Sequence, residues 1–237
     1  MRILALETAT EACSVALYVD GDVLERHEVA PRRHAEWVLP WIEALLAEAG
    51  VARAQLDAVA CSRGPGAFTG VRLAVAMTQG LALALDRPVV GVSTLQVLAL
   101  PAMRQLQASA DHATGVLAAI DARMGEVYLA GYARDNTGDW QMSIEEQVLA
   151  PAQVMLPADT RWRGVGTGFA AEESALAKLR QWEGVDATAL PHAGDVARLA
   201  APILARNEGM EPEQLQPAYL RNKVALTLAE RGKPVPV

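Results

Sequence analysis

Residues 58–85 hold the tightest constraint on the fold. Ala58 to Cys61 is a short apolar run that reads as a buried strand, and Val71 to Leu85 is a helix with no charged residue between Arg72 and Asp86. The chain between them, Gly64-Pro65-Gly66-Ala67-Phe68-Thr69-Gly70, packs three glycines and a proline into seven residues, which requires a tight turn with exposed backbone N–H groups at a helix start. The apolar side chains Val71, Leu73, Val75, Met77, Leu81, Leu83 and Leu85 do not fit one stripe of that helix. A helix apolar all round is covered on more than one side. One side packs on its own sheet, and the other meets either a neighbouring helix or another protein.

The rest of the chain supplies layers for that unit. Ile3 to Leu6, Cys13 to Val19 and Val23 to Val29 read as strands, with Asp20-Gly21-Asp22 suited to a two-residue hairpin turn. Arg32 to Ala49 has helical period, with Val38, Trp41, Ile42, Leu45, Leu46 and Ala49 on one broad face, Gly50 as its stop and Pro40 inside it. A strand at Val89–Val92 follows the uncharged helix, and Ser93-Thr94 opens another helix to about Gln107. From Gly115 a similar order returns: strands at Val116–Asp121, Glu126–Ala133 and Gln141–Leu149, a short helix at Pro151–Met155, a strand at Trp162–Val165 and a helix at Ala170–Trp182. Asp195 to Asn207 reads as a further helix, and the proline-rich end, Arg231 to Val237, as a mobile tail. Two halves of like order point to a duplicated fold with a cleft between the halves. The expected division is 1–109 for the N-terminal lobe, 110–216 for the C-terminal lobe, and 217–237 for a terminal segment and tail.

Composition narrows the function classes. The 237 residues carry a formal charge of −7, against a chain that grips a nucleic-acid backbone alone. Aromatic residues are only 5%, so the cores are built from Ala, Val and Leu. Cys13 and Cys61 lie in strand-like runs and read as buried thiols of a reducing compartment, without metal-type spacing. Met1-Arg2 runs straight into a strand with no signal-peptide layout, and the Val71–Leu85 helix reaches only about 22 Å, short of a bilayer. These readings give a cytoplasmic protein that does not engage a membrane. His27, His34, His112 and His192 show no paired spacing; His34, at the start of the first helix, reads as a surface or interface residue rather than a base. There is no Gly-x-Ser-x-Gly elbow and no cysteine in a reactive setting, which argues against a hydrolase.

The glycine turn could hold a phosphate at a helix N-terminus, or it could be structural only. It is not an ATP-binding P-loop: counted from Gly64, Thr69 and Gly70 stand where Gly and Lys would be. As a string, however, Gly64 to Arg72 resembles the signature of the bacterial TsaB (YeaZ) family, whose members assist synthesis of threonylcarbamoyladenosine at position 37 of tRNA. Leu4-Ala5-Leu6-Glu7-Thr8-Ala9-Thr10, Asp121-Ala122-Arg123-Met124-Gly125-Glu126-Val127-Tyr128 and Pro217-Ala218-Tyr219-Leu220-Arg221 agree with it in order and span nearly the whole chain.

The resemblance implies the two-lobed α/β architecture of the actin, sugar kinase and Hsp70 superfamily, with ribonuclease H-like halves. It also implies a nucleotide cleft, functional or vestigial. Glu7, with Thr8 beside it, and Asp121 would be the acids facing phosphates or their metal, and Gly166-Thr167-Gly168 the adenosine-contacting turn. Arg123 would meet a phosphate or a partner carboxylate, or else belong to a charged surface hairpin. The related catalytic subunit, of TsaD type, holds its metal through two histidines four residues apart after the strand that follows the glycine turn. Here that stretch is Ser93-Thr94-Leu95-Gln96-Val97-Leu98, so no metal ligands are expected.

The resemblance therefore implies a non-catalytic subunit, with no cofactor required and ATP or ADP as the nucleotide to test. Its two N-terminal helices would pair with a TsaD-type subunit, or with a second copy when the chain is alone. His34, Trp37, Val38, Trp41, Leu45, Phe68, Val71, Arg72, Val75 and Leu81 are the expected contact residues, set on the structural turn of Gly64, Pro65, Gly66 and Gly70. The small residues Ala74, Ala76, Gly80, Ala82 and Ala84 would let a second helix come close. A TsaE-type ATPase would join the assembly, and tRNA would be met through it. The alternatives are a stand-alone small-molecule kinase or ATPase using Glu7, Asp121 and Gly166–Gly168, and a scaffold that binds nucleotide without turnover.

Overall fold

The computed structural model describes residues 1–29, 31–108 and 113–221. The expected 109/110 lobe boundary, His112 and the tail all lie outside these residues. The first lobe opens with β1 (Arg2–Glu7), β2 (Ala12–Val19) and β3 (Asp22–Val29), an antiparallel meander whose second link is the two-residue turn Asp20-Gly21, both residues at positive φ. Then come α1 (His34–Ala49), β4 (Ala58–Ser62), α2 (Phe68–Leu85), β5 (Val89–Val92) and α3 (Thr94–Ala108). β4 lies parallel to β1 and β5 parallel to β4, which gives the sheet order β3-β2-β1-β4-β5.

The second lobe has β6 (Gly115–Arg123), β7 (Glu126–Arg134), β8 (Trp140–Leu149), β9 (Trp162–Val165), α4 (Ala175–Lys178), β10 (Gly184–Asp186) and α5 (Ala193–Ala205). Its sheet runs β8-β7-β6-β9-β10, the first lobe's order repeated strand for strand. The duplicated, ribonuclease H-like architecture expected from the sequence is thus present. Two expectations in this lobe need correction. Ala170–Trp182 is not one helix: 3₁₀ turns at Thr167–Phe169 and Glu172–Ser174 precede the single turn of α4. Glu172, Glu173 and Ser174 all take positive φ, which no α-helix tolerates. The strand Gly184–Asp186, unforeseen at three residues long, completes the five-stranded repeat. The helix expected at Pro151–Met155 is a 3₁₀ turn, Pro151–Gln153.

Both faces of each sheet are covered, so the central strands are apolar throughout rather than alternating. Leu4 and Leu6 of β1 face α1 and α2, with Val38, Ile42, Leu45, Ala74 and Val75. Ile3 and Ala5 face the other way, onto Ala193, Val196, Ala197 and Ala200 of α5. The final helix of each half therefore crosses over: α5 covers the first sheet, while α3 lays Leu95, Leu98, Ala102 and Leu106 on Val116, Ala118 and Ile120 of β6. On the far face of the second sheet, Trp162 of β9 packs with Phe169 and Leu176, which close it.

α2 is three residues longer than the sequence reading, because the helix already turns at Phe68. At 18 residues and a mean hydropathy of 1.4, its length and composition no longer exclude a bilayer span. Its apolar content has another cause: Val71, Ala74, Val75 and Ala82 are buried on its own sheet. It stops at Asp86, which takes a left-handed φ of 53° while the next N–H, that of Arg87, closes on the Ala82 carbonyl at 3.0 Å.

Candidate functional site: the interlobe cleft

The strand ends of both sheets and the first turn of α2 enclose a cleft of about 980 Å³. Its first wall is the glycine turn. A Cβ on Gly70 would stand 1.9 Å from the Thr8 carbonyl oxygen, and one on Gly66 2.3 Å from that of Ala9. Only glycine allows this approach, by which α2 presses on the loop leaving β1. The contact is sewn by the Thr8 hydroxyl donating to the Gly70 carbonyl (2.7 Å) and the Ala67 N–H donating to the Ala9 carbonyl (2.7 Å).

The two expected acids do not face one another. Asp121, at the end of β6, lines the cleft, but Arg123 occupies its carboxylate twice, through the backbone N–H at 2.7 Å and the guanidinium at 2.7 Å. This closed ring is made by the turn itself, in which Arg123 and Met124 both take positive φ. Glu7 is wholly buried behind the loop, where one oxygen accepts the Ala9 N–H at 2.6 Å. Burial pushes its carboxyl up to about 7, against the Ser62 hydroxyl, the Ala9 N–H and His192, which favour the ionised form. It cannot share a hydrated metal with Asp121 across the cleft. Among the described residues no three His, Cys, Asp or Glu side chains converge to hold a metal ion.

The turn expected to contact adenosine is packed tightly on the second sheet. Gly166, at φ 104°, and Gly168 are pressed on β6: Cβ atoms there would lie 2.3 Å from the Ala119 carbonyl oxygen and 2.8 Å from the Ala119 Cβ. Only glycine allows these approaches. Thr167 between them is what reaches the cleft, its hydroxyl accepting the Asp121 N–H at 3.2 Å.

Of the expected contact residues on α1 and α2, Val38, Leu45, Val71 and Val75 lie in the core, at most 4% exposed, so they cannot meet a partner. An all-apolar helix gives no sign of which side turns inward. Leu81, Trp37 and Trp41 are half-buried at the edge of that core, the two indoles 5.0 Å apart. His34 holds the start of α1: its Nε2 lies 3.1 Å from the carbonyl oxygens of both Thr10 and Ala12, two acceptors that require the proton on this nitrogen. Phe68 and Arg72 are exposed, with the guanidinium 3.7 Å above the Phe68 ring.

The outward side of α2 is instead a ridge of small residues at four-residue intervals, Ala76, Gly80 and Ala84, with Leu83 beside it at 55% exposure. A Cβ on Gly80 would meet nothing within 4 Å. Of the small residues noted in the sequence, Ala74 and Ala82 point into the core. The rim of the cleft carries further groups given no role by the sequence reading: Tyr128, Tyr219 and Arg221.

Comparison with known proteins gives the family. The family model described as tRNA N6-adenosine threonylcarbamoyltransferase, TsaD, matches residues 26–221. The tRNA threonylcarbamoyladenosine biosynthesis protein TsaB of Escherichia coli K12 is 45% identical over 233 residues, covering 95% of this chain and 96% of that protein. Its namesake from Haemophilus influenzae is 40% identical over 94% of this chain and 95% of its own. The solved structure of YeaZ from Pseudomonas aeruginosa is 48% identical and superposes with a TM-score of 0.82, covering 92% of this chain and 99% of that one. With four motifs, a duplicated sheet order and near full-length identity in agreement, the chain belongs to the TsaB (YeaZ) family.

Proposed function

We propose that this chain is a non-catalytic subunit of the cytoplasmic assembly that forms N6-threonylcarbamoyladenosine at position 37 of tRNA, and that it stabilises and positions a TsaD-type catalytic subunit. The observation that carries the reading is the outward ridge Ala76–Gly80–Ala84 with Leu83, a helix surface smooth enough for a second helix to approach closely. A cleft in which Asp121 is occupied by its own neighbour Arg123, and from which Glu7 is buried away, supports a role without chemistry of its own. In the absence of the partner, a second copy would cover the same ridge. A TsaE-type ATPase would complete the assembly, and tRNA would be met through it, since the charge of −7 leaves the backbone contacts to a more basic subunit. Nucleotide, if supplied as ADP or ATP, would enter the cleft beside Arg32, Arg123 and Arg221.

The test is mass by light scattering, for the chain alone and mixed with its TsaD-type relative, repeated with Gly80→Arg. That position has open space around it, so the variant keeps its fold and its melting temperature. A homodimer that exchanges for a heterodimer, both lost in Gly80→Arg, supports the reading. Unchanged association in the variant overturns the ridge as the interface, and a monomer indifferent to the relative overturns the subunit role.

A further inference from the structure

The string Pro217-Ala218-Tyr219-Leu220-Arg221 belongs to no sheet or helix, yet it touches both lobes. Its root lies in the first lobe. Met210 pairs with Val89 at the free edge of β5, Leu215 is buried in the core under α2, and the Gln79 side chain donates to the carbonyls of Pro212 (3.0 Å) and Leu215 (3.1 Å). The chain then passes the glycine turn, where the Ala218 N–H donates to the Arg63 carbonyl at 2.7 Å. At the rim, the Tyr219 hydroxyl accepts the Arg72 Nε–H at 2.8 Å, and its ring sits 6.3 Å from that of Phe68. Two residues later the segment is on the other lobe. There Arg221 makes a charge-assisted pair with Glu126 at the start of β7 and donates to the Arg123 carbonyl at 3.3 Å. The Arg221 side chain is only 15% exposed, while its partner Glu126 keeps 37%, so the arginine half of the pair is the one shielded from solvent.

We propose that residues 216–221 form a strap across the mouth of the interlobe cleft, latched on the second lobe by Arg221 and Glu126, which limits how far the lobes can part. Six extended residues span at most about 20 Å, and the contacts of Ala218, Tyr219 and Arg221 fix the segment on both walls within four residues. The latch grips the same turn that holds Asp121 against Arg123, so it also fixes where that carboxylate stands. On the other wall Arg63 reaches Glu146 of β8 at 3.7 Å, a second tie between the lobes. With α3 and α5 crossed beneath, the cleft is fastened at its mouth, wall and floor.

The test is the interlobe distance in solution. Spin labels at Ala54→Cys and Glu145→Cys, exposed positions one on each lobe, report the distance between the lobes, while Cys13 and Cys61 are buried and stay unlabelled. Labelled protein is diluted with unlabelled chain so that only intramolecular pairs contribute to the electron–electron resonance signal. The intact latch gives one narrow distance distribution. Arg221→Ala should broaden it toward longer distances, and the reversed pair Arg221→Glu with Glu126→Arg should narrow it again. A distribution that Arg221→Ala leaves unchanged overturns the strap. Broadening that the reversed pair does not correct overturns the ion pair as its latch.

Discussion

Replacing Glu7 with glutamine should make the protein less sensitive to alkali. The carboxyl is wholly buried and pushed up from its ordinary 4.5 to about 7, chiefly by loss of water. Below pH 4.5 both the folded and the unfolded chain hold the proton, and the buried acid costs nothing extra. As pH rises from there, the unfolded chain ionises while the folded chain keeps its proton. Unfolding then releases a proton, and stability falls by up to about 1.4 kcal/mol per pH unit. Once pH passes the folded value near 7, both states are ionised and the loss levels off. The 2.5-unit displacement corresponds to about 3 kcal/mol in total. Glutamine keeps an oxygen for the Ala9 N–H and cannot ionise. Urea unfolding of both proteins at half-unit steps from pH 4.5 to 8.5 reads this group, together with the smaller change that losing its charge makes at His192. The wild type should lose about 3 kcal/mol relative to Glu7→Gln by pH 8. A difference that stays constant with pH, or grows in favour of the wild type, would refute the buried, protonated acid.

Two glycines of one helix should respond oppositely to alanine. Gly70→Ala drives a methyl into the Thr8 carbonyl and should cost about 3 kcal/mol or more in urea unfolding, whereas Gly80→Ala, in open space, should gain about 0.5–1 kcal/mol. The third prediction concerns the N-terminus of α5, which rests on the first sheet through a stacked pair, His27 and His192, with ring centroids 3.9 Å apart. Glu25 accepts from His192 and from the Gly194 N–H, and Ser14 accepts from the Ala193 N–H. Burial and the charge of His192 hold His27 below its ordinary 6.5, against Glu25 and Glu28, so the wild type loses His27's share of stability as pH falls through 6.5. His192 moves the other way, raised mainly by its bond to Glu25; its share is present below 6.5 and lost as pH rises through its higher folded value. Thermal melts should therefore show His27→Gln gaining on the wild type between pH 7.5 and 5.5, and an unchanged difference would count against the stack as a proton-sensitive contact.

The fold was legible where one local pattern decided it. The Asp20-Gly21 turn, the Gly50 stop and the run after Gly64 each set an element by themselves. The second lobe was harder to read because its helical stretch is broken by positive φ at Glu172, Glu173 and Ser174, none of which is a residue that announces such a turn. The site suffered from the covering of both sheet faces. In a strand buried on each side, alternation no longer tells which residues face which way, so nothing in Leu4-Ala5-Leu6-Glu7 showed that the acid points away from the cleft. The same loss of signal put Val71 and Val75 among expected contacts when their helix turns them inward. Arg221 and Glu126 both stood in motifs, but their pairing spans 95 residues and depends on where the strap crosses.

The crossing of α3 and α5 bears on how the molecule comes apart. Each half of the sequence folds the sheet that the other half's last helix roofs. A chain cut within the connector and separated into its two pieces would leave one bare apolar sheet face on each. The same pieces kept together would supply what the other lacks. The protein can therefore be severed without being divisible: melting one lobe strips cover from the other, and two topological repeats share a single folding transition.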